Sequence, residues 1–412
     1  MIINKERLRR RIDAINEAGR DQQGGYTRLA FSEQDREARR LVEEMMREAG
    51  LEVEHDAAAN ILGSYKCGDL PGYVATGSHI DTVRNGGPFD GLLGSVAAIE
   101  ALQCAREQGV PLKRPLRAIV FADEEGARFG SGLIGSKSIA GIPLPQPLKS
   151  YSDRDGVRLV DALQAIGIAP DKVLNAAAPK GTYSAFLELH IEQSAVLEQQ
   201  RKQIGIVSGI KGVYWMRGSF TGEANHAGGT PMNMRHDALA AASKLVTEIY
   251  RIGCELGNEF VATVGVLKIT PGGINTIPGH VEYTVDVRDL DMVRRSEGIR
   301  RISEAAEKAA AFYRVSHENS CIKDEASCNM DPSIMGILEE ICKDNQTDYM
   351  ILPSGPFHDT LPMASLCKTG MIFVPSIGGV SHSPKENTNW EDIYKGTEIL
   401  YHALIRLAQQ DE

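Results

Sequence analysis

The chain has 412 residues, longer than one hydrophobic core usually serves, and its 42% hydrophobic and 24% charged content is that of two ordinary globular domains. A formal charge of -10 argues against nucleic acid or an anionic membrane as partner, since such binding needs a basic patch that displaces counterions; a small-molecule substrate is expected instead. The seven cysteines, an odd number with no CxxC spacing, point to free thiols in a reducing compartment and away from a cysteine-based zinc site.

The opening MIINKERLRRRIDAINEAG is charged and helical in pattern rather than a signal peptide, and apolar runs such as LRAIVFA are too short to span a bilayer, so a cytoplasmic location is expected. Phe31 to Gly50 reads as an amphipathic helix, with Ser32 as N-cap, Asp35 three residues on and Gly50 at the stop. GYVATGSHID and LRAIVFADEE then read as buried strands whose C-terminal ends present polar residues, separated by the helical SVAAIEALQCAREQ. From about Gly209 the pattern turns to alternating segments, VYWMRGSFTG and HVEYTVDVRDLD, flanking the helical HDALAAASKLVTEIYRIG. After about Asn329 helical material returns, followed by the strand-like MIFVPSIGG. The expected fold class is α/β: a discontinuous catalytic domain, residues 1–209 and 329–412, with a twisted mixed sheet and flanking helices, interrupted by a smaller inserted α+β domain over 210–328. No internal repeat is visible.

His79 and Asp81 form a His-x-Asp pair at a strand end, where a carboxylate can orient an imidazole through its second ring nitrogen. Asp90 follows in NGGPFDG, a glycine-rich loop suited to close approach, and could bridge two ions. FADEEG puts Glu124 and Glu125 side by side at a strand end, where alternation would point them apart, one to ligate and one for acid-base work. His190 and His382 complete a mixed imidazole and carboxylate set suited to Zn, Mn, Co or Ni rather than Ca or Mg. Singly, each of these residues has an ordinary structural explanation; the argument rests on the set.

GSHIDTVRNGG-FDG, ADEEGARF, ELHIEQ, NHAGGTPM, GGINTIPG and S-HSP-E occur here in the order found in M20-type metallohydrolases, and the chain resembles most their hydantoinase/carbamoylase branch, which includes N-carbamoyl-L-amino acid hydrolases, allantoate amidohydrolases and ureidoglycolate hydrolases. The resemblance implies two divalent ions per subunit, with His79 and His190 on one, Glu125 and His382 on the other, Asp90 between them and Glu124 as general base. Asp81 would support the centre. His190 within ELHIEQ separates this branch from related aminopeptidases and deacylases, where an acidic ligand is usual. The same resemblance makes Gln193, His226, Asn275, Arg288 and His358 contacts to the substrate. Arg288 would grip a substrate carboxylate with its bidentate fork, unless it is spent on a salt bridge to Asp286, Asp289 or Asp291. His226 could donate to the oxyanion of a tetrahedral intermediate, and the inserted domain would pair edge to edge in a homodimer. His236 and His280 match no ligand position.

The expected reaction is therefore hydrolysis of an N-carbamoyl or related ureido acid, with release of ammonia and carbon dioxide. Allantoate hydrolysis and N-formyl or N-acyl amide or dipeptide cleavage are the alternatives. One departure bears on the substrate: the family's SGAGHD is here SGPFHD, Ser354 to Asp359, which trades a donor-rich loop for Pro356 and the bulky Phe357.

Overall fold

The computed structural model describes residues 2–173, 175–257 and 259–411, and they fall into two compact units, Met1–Ser208 with Met330–Glu412, and Gly209–Asn329. Helix α1 (Lys5–Glu17) and helix α2 (Glu33–Glu48) open the first unit. The Ser32 side chain caps α2 by accepting the Asp35 N–H, and Gly50 takes a φ of 74° just past its end. Strands β1 (Glu52–His55), β2 (Ile61–Tyr65), β3 (Tyr73–His79), β4 (Leu116–Phe121), β5 (Tyr183–Ile191) and β6 (Ile204–Ile210) follow, with helix α3 (Leu92–Glu107) between β3 and β4. Helix α3 is buried on nearly every side, which its weak amphipathicity allows.

The second unit contains β7 (Gly212–Thr221), helix α4 (Ala238–Leu256), β8 (Val261–Thr270), β9 (His280–Asp289), helix α5 (Met292–Tyr313) and β10 (Ser316–Glu325). The chain then returns to the first unit through helix α6 (Pro332–Asp344), β11 (Tyr349–Ser354), β12 (Lys368–Val374) and helix α7 (Trp390–Ala408).

In the first unit the strand order is β1-β2-β4-β3-β5-β12-β6, with β11 also paired to β6. Strands β4, β3, β5 and β12 run parallel to one another, and antiparallel partners flank them. Both faces of these strands are covered, as near-continuous runs such as LRAIVF require. Four parallel strands therefore deliver their C-terminal ends to one edge of the sheet, the place where open α/β sheets carry ligands.

The second unit is an antiparallel sheet in the order β10-β7-β9-β8. Met216, Phe220, Val281, Tyr283, Val285 and Val287 pack with Leu245, Ile249, Ile302 and Ala306 of α4 and α5 in a separate core. Residues that alternate with these, including Asp286 and Arg288, lie on the opposite sheet face. Strand β8 is an edge strand carrying Val261, Val266, Leu267 and Ile269, each 40% or more exposed. The seven cysteines are all free. Among the described residues no helix is long and apolar enough to cross a membrane.

Candidate metal centre

His79 is the last residue of β3 and His190 the last but one of β5; Gln193 lies just beyond β5, and Ser381 and His382 follow β12. Glu124 and Glu125 lie beyond the end of β4, so the expected strand alternation is not what separates them. A turn through Asp123, at a φ of 52°, redirects the chain, and the Asp81 carboxylate receives the N–H groups of both glutamates, at 3.2 Å each. Asp81 thus fixes the backbone that carries the pair. Its expected grip on His79 is made differently: His79 Nδ1 lies 3.0 Å from the Asp81 main-chain carbonyl and 3.6 Å from its carboxylate. The carbonyl is the nearer acceptor because the carboxylate is already committed to two N–H donors.

Asp90 stands immediately before helix α3 and is buried. Its Oδ1 lies 3.2 Å from His190 Nε2 and 3.7 Å from His79 Nε2, whereas its Oδ2 lies 3.2 Å from His382 Nε2. The ligand atoms of His79, Asp90 and His190 are all within 4.8 Å of one another, and so are those of Asp90, Glu125 and His382. Glu124 belongs to neither triad; its Oε2 is 3.6 Å from His79 Nε2. Glycine makes the approach possible. At Gly91, φ 64°, an added Cβ would lie 2.3 Å from the His79 ring.

The electrostatics favour cations. Burial raises Glu124 and Glu125 well above the usual carboxyl range, aided by Asp359 for the first and Asp90 for the second, and Glu125 Oε1 has no hydrogen-bond partner among the described residues. Asp90 resists its own burial because His190 and His382 hold it well below the ordinary value. Burial pushes His79 down to about 4, leaving a neutral imidazole as metal ligation requires. His190 is also penalised by burial, but its contact with Asp90 brings it up to about 9. Crowded buried carboxyls, imidazoles facing them and an orphaned oxygen fit divalent ions with N and O ligands.

A third cluster, Glu188, His190 and His358, has the spacing of a metal triad. Its Glu188 is already saturated, by Ser78 Oγ at 2.7 Å and by Thr360 N and Oγ1 at 2.9 and 2.6 Å, so it serves as structure. His358 is buried, its ring edge-on to His190 at 4.5 Å between centroids, with Nε2 2.9 Å from Ser354 Oγ. It therefore backs His190 from inside the SGPFHD loop, where Ser354 Oγ donates to the Pro356 carbonyl. Gln193, at a φ of 57°, donates Nε2 to Asp90 Oδ2 at 2.8 Å, and its Oε1 is buried without a partner among the described residues.

His226, Asn275 and Arg288 belong to the second unit. His226 pairs with Thr276 across a short bridge, and the Asn275 carbonyl accepts the Ala227 N–H at 2.9 Å, so His226 and Asn275 form one loop cluster. His226 Nδ1 accepts N–H groups from Gly228 and Gly229 at 3.1 and 3.0 Å, which leaves its neutral-ring proton on Nε2 as a donor. Arg288 directs Nε and Nη2 to Asp286, at 3.0 and 2.8 Å, the salt bridge weighed above; a substrate carboxylate would share that guanidinium with Asp286. His236 meets the Arg314 carbonyl and His280 the Thr221 hydroxyl, both structural.

The sequence reading missed Glu386 and Ser381. Both lie within the quoted S-HSP-E stretch, but nothing local showed that Ser381 Oγ reaches Asp90 Oδ2, at 3.0 Å.

The family model for Peptidase family M20/M25/M40 matches residues 75–406. The chain is 42% identical over 410 residues to an N-carbamoyl-L-amino acid amidohydrolase of Geobacillus stearothermophilus, covering 99% of this chain and 100% of that one. It is 34% identical over 399 residues to the allantoate amidohydrolase of Escherichia coli strain K12, covering 96% of each. The crystal structure of an amidase of the hydantoinase/carbamoylase family from Burkholderia multivorans matches with a TM-score of 0.93 and 31% identity, over 99% of this chain and 98% of that one. The chain belongs to the M20/M25/M40 peptidase family and, within it, stands with the hydantoinase/carbamoylase amidases.

Proposed function

We propose that this amidohydrolase of non-peptide C–N bonds acts on an N-carbamoyl amino acid or a closely related ureido acid, releasing ammonia and carbon dioxide. The observation that carries the reading is the division of Asp90: one carboxylate oxygen faces His79 and His190, the other His382, as a ligand shared between two ions requires. His79 and His190 would hold one divalent ion, Glu125 and His382 the other, with Zn, Mn, Co and Ni as the chemically suited metals. Bound there, such ions supply Lewis acidity toward a carbonyl and toward water.

The remaining work falls to the chain. Glu124 takes a proton from the attacking water and returns it to the departing nitrogen. Asp81 keeps Glu124 and Glu125 in register by holding their N–H groups. His226 offers Nε2–H to the developing oxyanion, Gln193 and Asn275 offer their side-chain amides to the substrate, and His358 braces His190. Arg288 reads the substrate carboxylate. Ammonia release across a panel of N-carbamoyl, N-formyl and N-acetyl amino acids plus allantoate, with metal-stripped protein as control, tests this. A free carboxylic acid appearing without ammonia would favour the deacylase alternative, and the altered Pro356–Phe357 loop makes allantoate and the N-acyl compounds necessary arms.

Arg288→Lys is expected to raise KM at least tenfold for carboxylate-bearing substrates, because an ammonium cannot reproduce a bidentate fork. Amide-capped substrates should be nearly unaffected. Equal losses on both would assign Arg288 to its Asp286 salt bridge alone.

We also propose a cytoplasmic homodimer formed through the exposed apolar edge of β8, since an uncovered edge of this kind invites pairing across a twofold axis. Light scattering should give twice the chain mass, and Leu267→Lys should reduce it toward the monomer. A parent that is monomeric at assay concentration would refute the dimer.

A further inference from the structure

Glu386 lies in the loop between β12 and α7 and is buried, yet no step above uses it. Its Oε1 accepts the main-chain N–H groups of Phe89 and Asp90, at 2.9 and 3.1 Å, across a separation of almost 300 residues. Its Oε2 is 2.8 Å from Ser381 Oγ, and that hydroxyl is 3.0 Å from Asp90 Oδ2. One carboxylate thus joins the turn that presents Asp90 to the segment that presents His382. Gly87 makes room for it, since an added Cβ there would lie 2.1 Å from the Glu386 carboxyl carbon and 2.4 Å from its Cβ.

These contacts go beyond filling space. Asp90 can face two partners only if its main chain is held and its Oδ2 is aimed. Glu386 does the first directly and the second through Ser381. His382 has a φ of 54° and a half-exposed side chain, a backbone conformation that persists only where contacts around its segment hold it. We infer that Glu386 is a positioning residue that ties Asp90 to the His382 segment, so that its removal weakens the ion held by Asp90, Glu125 and His382 more than the one held by His79, His190 and Asp90. The inference rests on the two-ion reading proposed above. It assigns Glu386 no contact with substrate.

The test is Zn2+ titration of the metal-stripped full chain by calorimetry, with elemental analysis of the dialysed protein. Glu386→Ala should lower the affinity of one of two sites by roughly 10- to 100-fold and that of the other by a smaller factor, the size expected when a partner that orients a ligand is lost. Glu386→Gln should stay within about threefold of the parent, since its amide oxygen still accepts both N–H groups and its NH2 can donate to Ser381. Gly87→Ala should reproduce the alanine effect by driving a methyl into an intact Glu386, and it decides the matter if Glu386→Ala does not fold. Parent affinity at both sites in Glu386→Ala or in Gly87→Ala would overturn the inference, as would a Glu386→Gln as weak as Glu386→Ala. A parent that binds fewer than two ions, or a His382→Ala variant that binds as many as the parent, would bring down the two-ion reading and this inference with it.

Discussion

Glu124→Gln is expected to lower kcat by about a thousandfold or more while metal content stays at the parent level. The magnitude is that of a general base which also feeds the leaving group, about 4 kcal/mol of transition-state stabilisation. Glu124 stands outside both ligand triads, 3.6 Å from His79 Nε2, so an isosteric amide leaves the ligands in place. Its carboxyl is raised by burial and then by Asp359, which makes it a stronger base once ionised than an exposed glutamate. Because the proton moves only in the transition state, kcat and kcat/KM should fall together. Elemental analysis showing a metal loss like that of His382→Ala would instead make Glu124 a ligand.

Gly91→Ala should be nearly as damaging by a different route. The residue sits at φ 64°, ψ -45°, a conformation that costs a non-glycine residue about 1–3 kcal/mol. The added methyl would also lie 2.3 Å from His79 Cε1 and Nε2, so the imidazole must leave its place. Loss of the ion bound through His79 and His190, and a fall in activity like that of His79→Ala, should follow. Gly109→Ala is the control: its φ is 60° and nothing lies within 4 Å of the added Cβ, so it carries the backbone cost alone. If both variants keep parent metal content, the His79 contact is harmless and the close approach has been given too much weight.

Much of this centre is written locally. Apolar runs ending in His79 and before Glu124 are buried strands whose polar ends emerge where the apolar run stops, and the glycines beside Asp90 announce a close approach that Gly87 and Gly91 make. The capping of α2 by Ser32 and the change to alternating pattern near Gly209 are also local signals, since both depend on residues within a turn or a strand of one another.

What the sequence by itself determined is therefore the type of each element, the residues with the chemistry to bind metal, and the family to which they belong. The tertiary structure alone decided which of those residues meet. Only the parallel pairing of β4, β3, β5 and β12 sets four separate strand ends side by side. Only packing shows that Asp81 spends its carboxylate on the Glu124 and Glu125 backbone and that Glu386 reaches across to Asp90. The physical reason is range: periodicity and capping act over a few residues, whereas strand order, register and the satisfaction of buried polar groups are fixed only when distant segments compete for the same partners.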